Sequence, residues 1–391
     1  MNLKAMIRPN VAATPPSGIR KYFDLINEMK DAISLGIGEP DFDTPWAIRE
    51  EGIWSLEKGK TFYSSNAGFL ELRQEIAKYM HERFLLKYDP LDEILVTVGG
   101  SEAIDVALRM LVGPGDEVLI PEPCFVAYKG CALFTGATAV PIPLKAENRF
   151  RLQPEELLAA ITPRTKVLIL GYPNNPTGAT MDREDYAKLV EVLRDKDILI
   201  LSDEIYADLL YEGRHASIAQ FPEMRDRTIV VNGFSKTFAM TGWRIGFACC
   251  HPDLMAQMKK IHQFAIMCSP TTAQFAAIEA LRNGRAEVRM MVEEYNRRRL
   301  LMVEGFRSCG LDCFEPLGAF YVFPDIRKTG LSSDEFCERL LMEERVLMVP
   351  GNAFGDCGEG FARATYATSI DNIREALVRI ERFMATFGSA R

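Results

Sequence analysis

Lys166-Val167-Leu168-Ile169-Leu170 leads into Gly171-Tyr172-Pro173-Asn174-Asn175-Pro176-Thr177-Gly178, a helix-like stretch over Arg183–Arg194, and then Ile198-Leu199-Ile200-Leu201. The order is strand, turn-rich loop, helix, strand. Both apolar runs are continuous rather than alternating, as expected of strands covered on both faces. A helix between them suits the crossover that parallel neighbours require. Working outward, Ile94–Val98 and Glu117–Ile120 are similar runs on the N-terminal side, with helix-like Ser101–Leu111 between them. Thr228–Val231 and Ile245–Cys249 follow on the C-terminal side. The alternation predicts an α/β fold over residues 94 to 250, a largely parallel sheet between two layers of helix.

Outside that region the pattern changes. A long helical region rich in Glu and Arg runs from Pro270 to Arg307 and reads as a connector. Beyond it come strand-like Ala319–Phe323, helix-like Asp334–Glu343, strand-like Val346–Val349 and Ala362–Ala367, and a terminal helix from Asp371. This predicts a small α+β domain, with Ile33–Ile37 packing against it from the other end of the chain. The expected limits are an arm with part of the small domain (1–45), a large domain (46–285), and a connecting helix with the small domain (286–391).

The 391 residues exceed what one small core needs, in keeping with two domains. A net charge of −8 with no block of like charges argues against nucleic acid or an anionic membrane as partner. No apolar run is long enough to span a bilayer, and Met1–Asn10 lacks the apolar stretch of a cleaved signal. The nine cysteines are scattered without a C-x-x-C, which reads as reduced thiols in a cytoplasmic protein. His81, His215, His251 and His262 show no metal-ligand spacing, so no metal is expected.

Ligands of open α/β sheets bind beyond the carboxyl ends of the strands, so the residues following each run carry the functional reading. After Ile94–Val98 comes Gly99-Gly100-Ser101-Glu102, either an anion cup at a helix start or an ordinary turn and cap. After Glu117–Ile120 comes Phe125, either a ring-stacking face or a core aromatic. Asn175 sits between prolines and a glycine turn, a preorganised hydrogen-bonding group or simply part of a turn. Asp203 stands at the mouth of a buried strand, where a carboxylate needs a cationic or hydrogen-bonding partner; a structural salt bridge would also serve. Lys236 lies among Gly233, Phe234, Ser235, Thr237 and Phe238, a setting able to desolvate its amine, although most lysines are solvated surface charges. Arg244 follows and keeps its charge. Together these are the groups that would hold a phosphorylated pyridine aldehyde as an imine.

The window Gly233-Phe234-Ser235-Lys236-Thr237-Phe238-Ala239-Met240-Thr241-Gly242-Trp243-Arg244-Ile245-Gly246 resembles the lysine signature of the class I/II aminotransferases of pyridoxal-phosphate fold type I. Asn175-Pro176-Thr177-Gly178 and Asp203-Glu204-Ile205-Tyr206 stand in that family's order, and the likeness runs from Gly36-Ile37-Gly38-Glu39-Pro40-Asp41-Phe42 to Arg363. The resemblance implies a mostly parallel seven-stranded sheet in the large domain. It implies that Lys236 forms a Schiff base with pyridoxal 5'-phosphate and then shuttles the proton, while Asp203 pairs with the ring nitrogen. Asn175 and Tyr206 would bond the ring's phenolic oxygen, and Phe125 would stack on the ring. Arg244 and the Gly100–Ser101–Glu102 turn would bind the phosphate, Arg363 and the backbone at Gly38 the substrate's α-carboxylate. Tyr63 resembles a tyrosine reaching the phosphate of the neighbouring subunit, which implies a homodimer. One departure is visible: Gly233 stands where many relatives carry a phosphate-touching Ser, which moves that contact onto backbone, Arg244, Ser101 and Ser235.

The implied reaction is amino transfer from an L-amino acid to a 2-oxo acid such as 2-oxoglutarate, in two alternating half-reactions. The segment Pro16-Ser17-Gly18-Ile19-Arg20-Lys21-Tyr22, with Ile19 as a pocket residue, resembles enzymes acting on aromatic amino acids or acylated diaminopimelate. Aspartate, alanine and methionine stay open as donors. A β-lyase on the same fold is the nearest alternative; Thr177 favours transamination, since many such lyases replace it. A ligand-sensing regulator would need a fused DNA-binding domain. A P-loop is excluded because Gly59-Lys60-Thr61 lacks its leading glycine.

Overall fold

The computed structural model describes residues 1–16, 18, 29 and 31–388. A short strand β1 (Ile33–Ser34) precedes the large sheet, whose strands are β2 (Ile94–Thr97), β3 (Glu117–Glu122), β4 (Thr138–Pro143), β5 (Thr165–Gly171), β6 (Leu199–Asp203), β7 (Thr228–Gly233) and β8 (Gly246–Cys249). Their order across the sheet is β2-β8-β7-β6-β5-β3-β4. Only β8 runs against its neighbours β2 and β7; the remaining pairs are parallel. The sheet is therefore α/β and mostly parallel, with seven strands. Every residue of β2, β3, β7 and β8 is buried, the consequence of helices on both faces.

Six of the seven strands match the apolar runs to within a few residues. The seventh strand, which the family resemblance implies, is β4, and no apolar run marks its place in the sequence. Its sequence Thr138-Ala139-Val140-Pro141-Ile142-Pro143 carries two prolines, which a ladder tolerates at the sheet's margin, and β4 is an edge strand paired only with β3. Its mostly exposed and half-buried residues give no continuous apolar run.

The expected helical region from Pro270 to Arg307 consists of two helices, Thr271–Asn283 and Arg285–Ser308, meeting at Gly284. A Cβ on Gly284 would stand 2.7 Å from the Ala280 carbonyl oxygen and 3.1 Å from the Phe238 ring. The expected strand Val346–Val349 also divides. β10 (Val346–Leu347) pairs in parallel with β1, while β11 (Val349–Pro350) pairs antiparallel with β12 (Ala362–Thr365), which in turn pairs with β9 (Tyr321–Val322). A helix over Ser333–Glu344 and the terminal helix Ile370–Gly388 pack on these strands. Among the described residues no helix is long and apolar enough to cross a membrane, and all nine cysteines are free thiols.

The chain reverses its direction of travel across the sheet between β3 and β5. β3 steps outward to β4, whereas β5, β6 and β7 step the other way. Such a switch leaves a crevice at the carboxyl edge. The loops after β2, β3, β5, β6 and β7 all open there, and segment 36–42 with β9 and β12 lies over them.

Candidate active site

A cavity of about 510 Å³ fills this crevice. The loops after β2 and β3 bring Gly100, Ser101 and Phe125 to its wall. Those after β5 and β6 bring Asn175, Asp203 and Tyr206, and the loop after β7 brings Ser235, Lys236 and Arg244. Gly38 and Arg363 close it from above.

Lys236 follows the fully buried β7, and that burial sets its chemistry. Its Nζ donates to the Gly38 carbonyl at 2.6 Å and lies 5.9 and 5.7 Å from the Tyr206 and Phe320 ring centres. Desolvation, joined by the nearby Arg363 and Arg244 charges and opposed by Glu39 and Asp203, lowers the amine's pKa to about 8. Asp203, the last residue of β6, moves the other way. Burial pushes its carboxyl up to about 6, although the Tyr128 hydroxyl donates to it at 2.8 Å and the Ile205 N–H at 3.2 Å. Gly171 makes room for that Tyr128 hydroxyl, since a Cβ there would stand 2.6 Å from it.

Arg363 projects from β12 and is buried. It donates to Asn175 Oδ1 at 2.9 Å and to the Gly36 carbonyl, with the Tyr321 and Phe354 rings 4.6 and 4.7 Å from its guanidinium carbon. Its Nε has no partner among the described residues, and burial lowers its pKa from the ordinary value. A rigid, cation-holding fork with a spare donor is suited to a carboxylate. The Asn175 loop is fixed by Asn174, whose Oδ1 accepts from the Thr177 N–H at 3.1 Å and hydroxyl at 2.8 Å. Tyr206 and Tyr321 share a hydrogen bond of 2.8 Å between their hydroxyls.

At the other end of the cavity the helix Gly99–Leu111 presents its N-terminus. Gly99 has φ +73°, and a Cβ on it would fall 2.7 Å from Arg244 Nη2. Only glycine serves both demands. Gly246 lets β8 approach the same turn, because a Cβ there would meet the Gly100 nitrogen at 2.7 Å. Arg244, itself at φ +54°, is oriented by a 2.9 Å bond from Nη1 to the Thr241 carbonyl. A guanidinium beside free helix N–H groups makes an anion site.

Two sequence-selected residues, Glu102 and Tyr63, do not line the cavity of their own chain. Glu102 does not line the cavity; its carboxylate accepts from the Val98 N–H and contacts His262 Nδ1 at 2.6 Å. Tyr63 is 81% exposed and also stands off the cavity wall. Ile19 lies outside the described residues. Sequence reading missed Tyr128, Tyr321 and Glu39, all on the wall. Tyr128 and Tyr321 sit in apolar surroundings where only the hydroxyl hinted at a partner. Glu39 was quoted in a motif but given no task; its carboxylate accepts from the Thr241 hydroxyl at 3.1 Å. Among the described residues no group of His, Cys, Asp and Glu is arranged to hold a metal.

Over residues 30–380 the chain matches the family described as aminotransferase class I and II. It is 50% identical over 369 residues to putative aminotransferase YugH of Bacillus subtilis, covering 94% of this chain and 96% of that one. It is 44% identical over 372 residues to aromatic-amino-acid aminotransferase 2 of Thermococcus litoralis, with the same two coverages. The solved structure of aspartate aminotransferase from Thermus thermophilus with maleate superposes with a TM-score of 0.91 at 39% identity, covering 96% and 99%.

Proposed function

The chain belongs to the class I and II aminotransferases, and from that membership we propose that it binds pyridoxal 5'-phosphate at Lys236 and moves the amino group of an L-amino acid to a 2-oxo acid such as 2-oxoglutarate. The observation that carries the reading is the Lys236 amine, buried in the cavity with its pKa lowered to about 8. A nucleophilic amine must be neutral, and the lowered pKa leaves a far larger fraction of this one neutral near physiological pH than of an ordinary solvated lysine.

The wall suits the cofactor on its own chemistry. It offers a buried carboxylate for a ring nitrogen, an amine for an aldehyde, and helix N–H groups with a guanidinium for a phosphate. When bound, pyridoxal phosphate supplies an electron sink for the charge left at the substrate's α-carbon. Asp203 holds the proton on the ring nitrogen. Asn175 and Tyr206 would hydrogen-bond the ring oxygen, and Phe125 would stack on the ring. Gly100, Ser101, Ser235 and Arg244 would hold the phosphate, and Glu102, off the cavity wall, would not touch it. Arg363 takes the α-carboxylate as a bidentate pair, and the Gly38 backbone lies beside it. The Lys236 amine would take the substrate's α-proton onto Nζ and release it again as the amino group is transferred. The donor leaves as a 2-oxo acid after one half-reaction, and the acceptor takes the amino group in the second.

The domain limits at about residues 45 and 285, the contribution of Ile19 to the pocket, and a homodimer in which Tyr63 reaches the neighbouring phosphate belong to the same reading. For the donor we favour aromatic or diaminopimelate-like side chains. The cations on the wall, Lys236, Arg244 and Arg363, are all assigned, and Glu39 adds negative charge, so among the described residues nothing faces a second substrate carboxylate. The kinship with an aromatic-amino-acid aminotransferase supports this, and the aspartate-acting relative keeps the alternative alive. The test is a panel of amino donors with 2-oxoglutarate, read by oxo-acid formation. Aromatic donors should lead; a panel in which only aspartate and glutamate react would overturn the donor preference, and no transfer from any donor would overturn the activity.

A further inference from the structure

The helix Gly99–Leu111 is capped by Val98, so the N–H groups of Val98, Gly99, Gly100 and Ser101 have no partner within the helix. The Glu102 carboxylate takes the first of these, accepting from the Val98 N–H through Oε2. Its other oxygen meets His262 Nδ1 at 2.6 Å. His262 comes from the last turn of the helix Pro252–Ala265 and is completely buried. Its Nε2 has no hydrogen-bond partner among the described residues. These contacts fix the tautomer. With the proton on Nδ1, His262 donates to Glu102 and leaves only a bare lone pair at Nε2. With the proton on Nε2, a buried N–H would go unpaired while two acceptors faced each other.

We propose that His262 is a positioning residue for the cofactor phosphate: through Glu102 it engages the Val98 N–H and keeps the Gly99, Gly100 and Ser101 N–H groups free as the phosphate cup. The proposal rests on the reading of that turn and Arg244 as the phosphate site. Glu102 is an anion in the first turn of the same helix, and the free N–H groups attract it as they attract phosphate. His262 holds the carboxylate away from them. Without the Nδ1 donor, Glu102 turns to the cup, occupies its donors and repels the incoming dianion.

Two near-isosteric variants separate this role from packing. His262→Asn sets its amide where Nδ1 stands, and His262→Gln sets it where Nε2 stands. Each full-length protein is stripped of cofactor and titrated with pyridoxal phosphate and with pyridoxal, which lacks the phosphate. His262→Gln should weaken pyridoxal phosphate by about tenfold, the size of one charge-assisted hydrogen bond, with pyridoxal affinity unchanged. His262→Asn should stay within about threefold of the native protein for both ligands. Unchanged pyridoxal phosphate affinity in His262→Gln, or equal losses for both ligands, overturns the proposal. Arg244→Gln is the control for its premise. If that variant binds pyridoxal phosphate no worse relative to pyridoxal than the native protein does, the phosphate site itself is misassigned. If it loses phosphate-dependent affinity while His262→Gln does not, the role of His262 alone is wrong.

Discussion

At the scale of single residues, the chemistry of Lys236 follows from where its strand ends. β7 is buried throughout, so the first lysine beyond it emerges into a cavity rather than into water. The amine's neutral fraction should therefore rise through a pH of about 8 instead of the ordinary 10.5. The sign is that of a cation disfavoured by burial: lowering the pH below 8 protonates the amine and slows its attack on an aldehyde. Stopped-flow rates of imine formation between the cofactor-free protein and pyridoxal phosphate should climb with pH and level off above about 8. A profile still climbing steeply at pH 10 would contradict this. Lys236→Ala should still bind the cofactor through its phosphate and ring contacts but lose the imine absorbance, with turnover reduced by roughly 10³-fold or more. Arg363→Gln leaves those spectral properties alone and acts on the amino acid. Removing one partner of a buried charged pair should lower kcat/KM by about a hundredfold, mostly through KM, as steady-state kinetics would record. Lys236, Asp203 and Asn175, which line the cavity, could be singled out because they follow predicted strands, whereas Arg363, inside the predicted strand Ala362–Ala367, was marked by the family resemblance alone. Tyr128 was not singled out. Its only marker is a hydroxyl in the helix Ala127–Thr135, and its target Asp203 is far off in sequence and adjacent only once β3 and β6 are set in the sheet.

Elements were legible to the extent that their sequence pattern had one cause. Strands buried on both faces announce themselves as apolar runs, and six of the seven strands in the large sheet did. β4 did not, because an edge strand needs no such run and can admit Pro141 and Pro143. The region from Pro270 to Arg307 reads as helical throughout, with no break marked inside it, because Glu and Arg continue across Asn283-Gly284-Arg285 without a change of pattern. Phe238 packing against Gly284 is a tertiary fact that helical periodicity does not carry. The turn at Gly99 shows the opposite case, a local sequence with two readings whose ambiguity the surroundings remove. An N-cap needs no approach by a guanidinium, yet Arg244 stands where the Gly99 Cβ would be. Gly99→Ala should therefore do more than strain a φ of +73°. The methyl displaces Arg244, so cofactor affinity should fall by about tenfold or more while the fold persists, since a left-handed alanine costs only about 1–2 kcal/mol. Equilibrium titration with pyridoxal phosphate checks the first part and circular dichroism the second.

For the whole molecule, the surface around Tyr63 is exposed and apolar. Phe62 and Tyr63 stand more than four-fifths exposed, and Trp46, Phe264 and Met267 add further exposed apolar area. The loop is not loosely held. The Thr271 hydroxyl donates to the Phe62 carbonyl at 2.7 Å, Gln274 donates to Ser64 at 2.9 Å, and Asn66 donates to the Met267 carbonyl at 2.8 Å. A rigid loop that presents two aromatic rings outward fits a surface built to be covered by a second copy. If Tyr63 serves the partner's phosphate, each site needs Lys236 from one subunit and Tyr63 from the other. Two defective variants should then rescue each other. Lys236→Ala lacks the amine in both sites, and Tyr63→Ala lacks the crossing hydroxyl in both. In a mixed dimer the subunit that keeps Lys236 receives Tyr63 from its neighbour, so one site is whole and the other doubly damaged. Unfolding and refolding an equal mixture should raise specific activity to about a quarter of the native value, since half of randomly paired dimers carry one whole site of two. If Tyr63 acts within its own chain, mixing creates no intact site and activity stays at the mean of the two variants. The assay thus reads the crossing itself, apart from any loss of stability that either substitution brings.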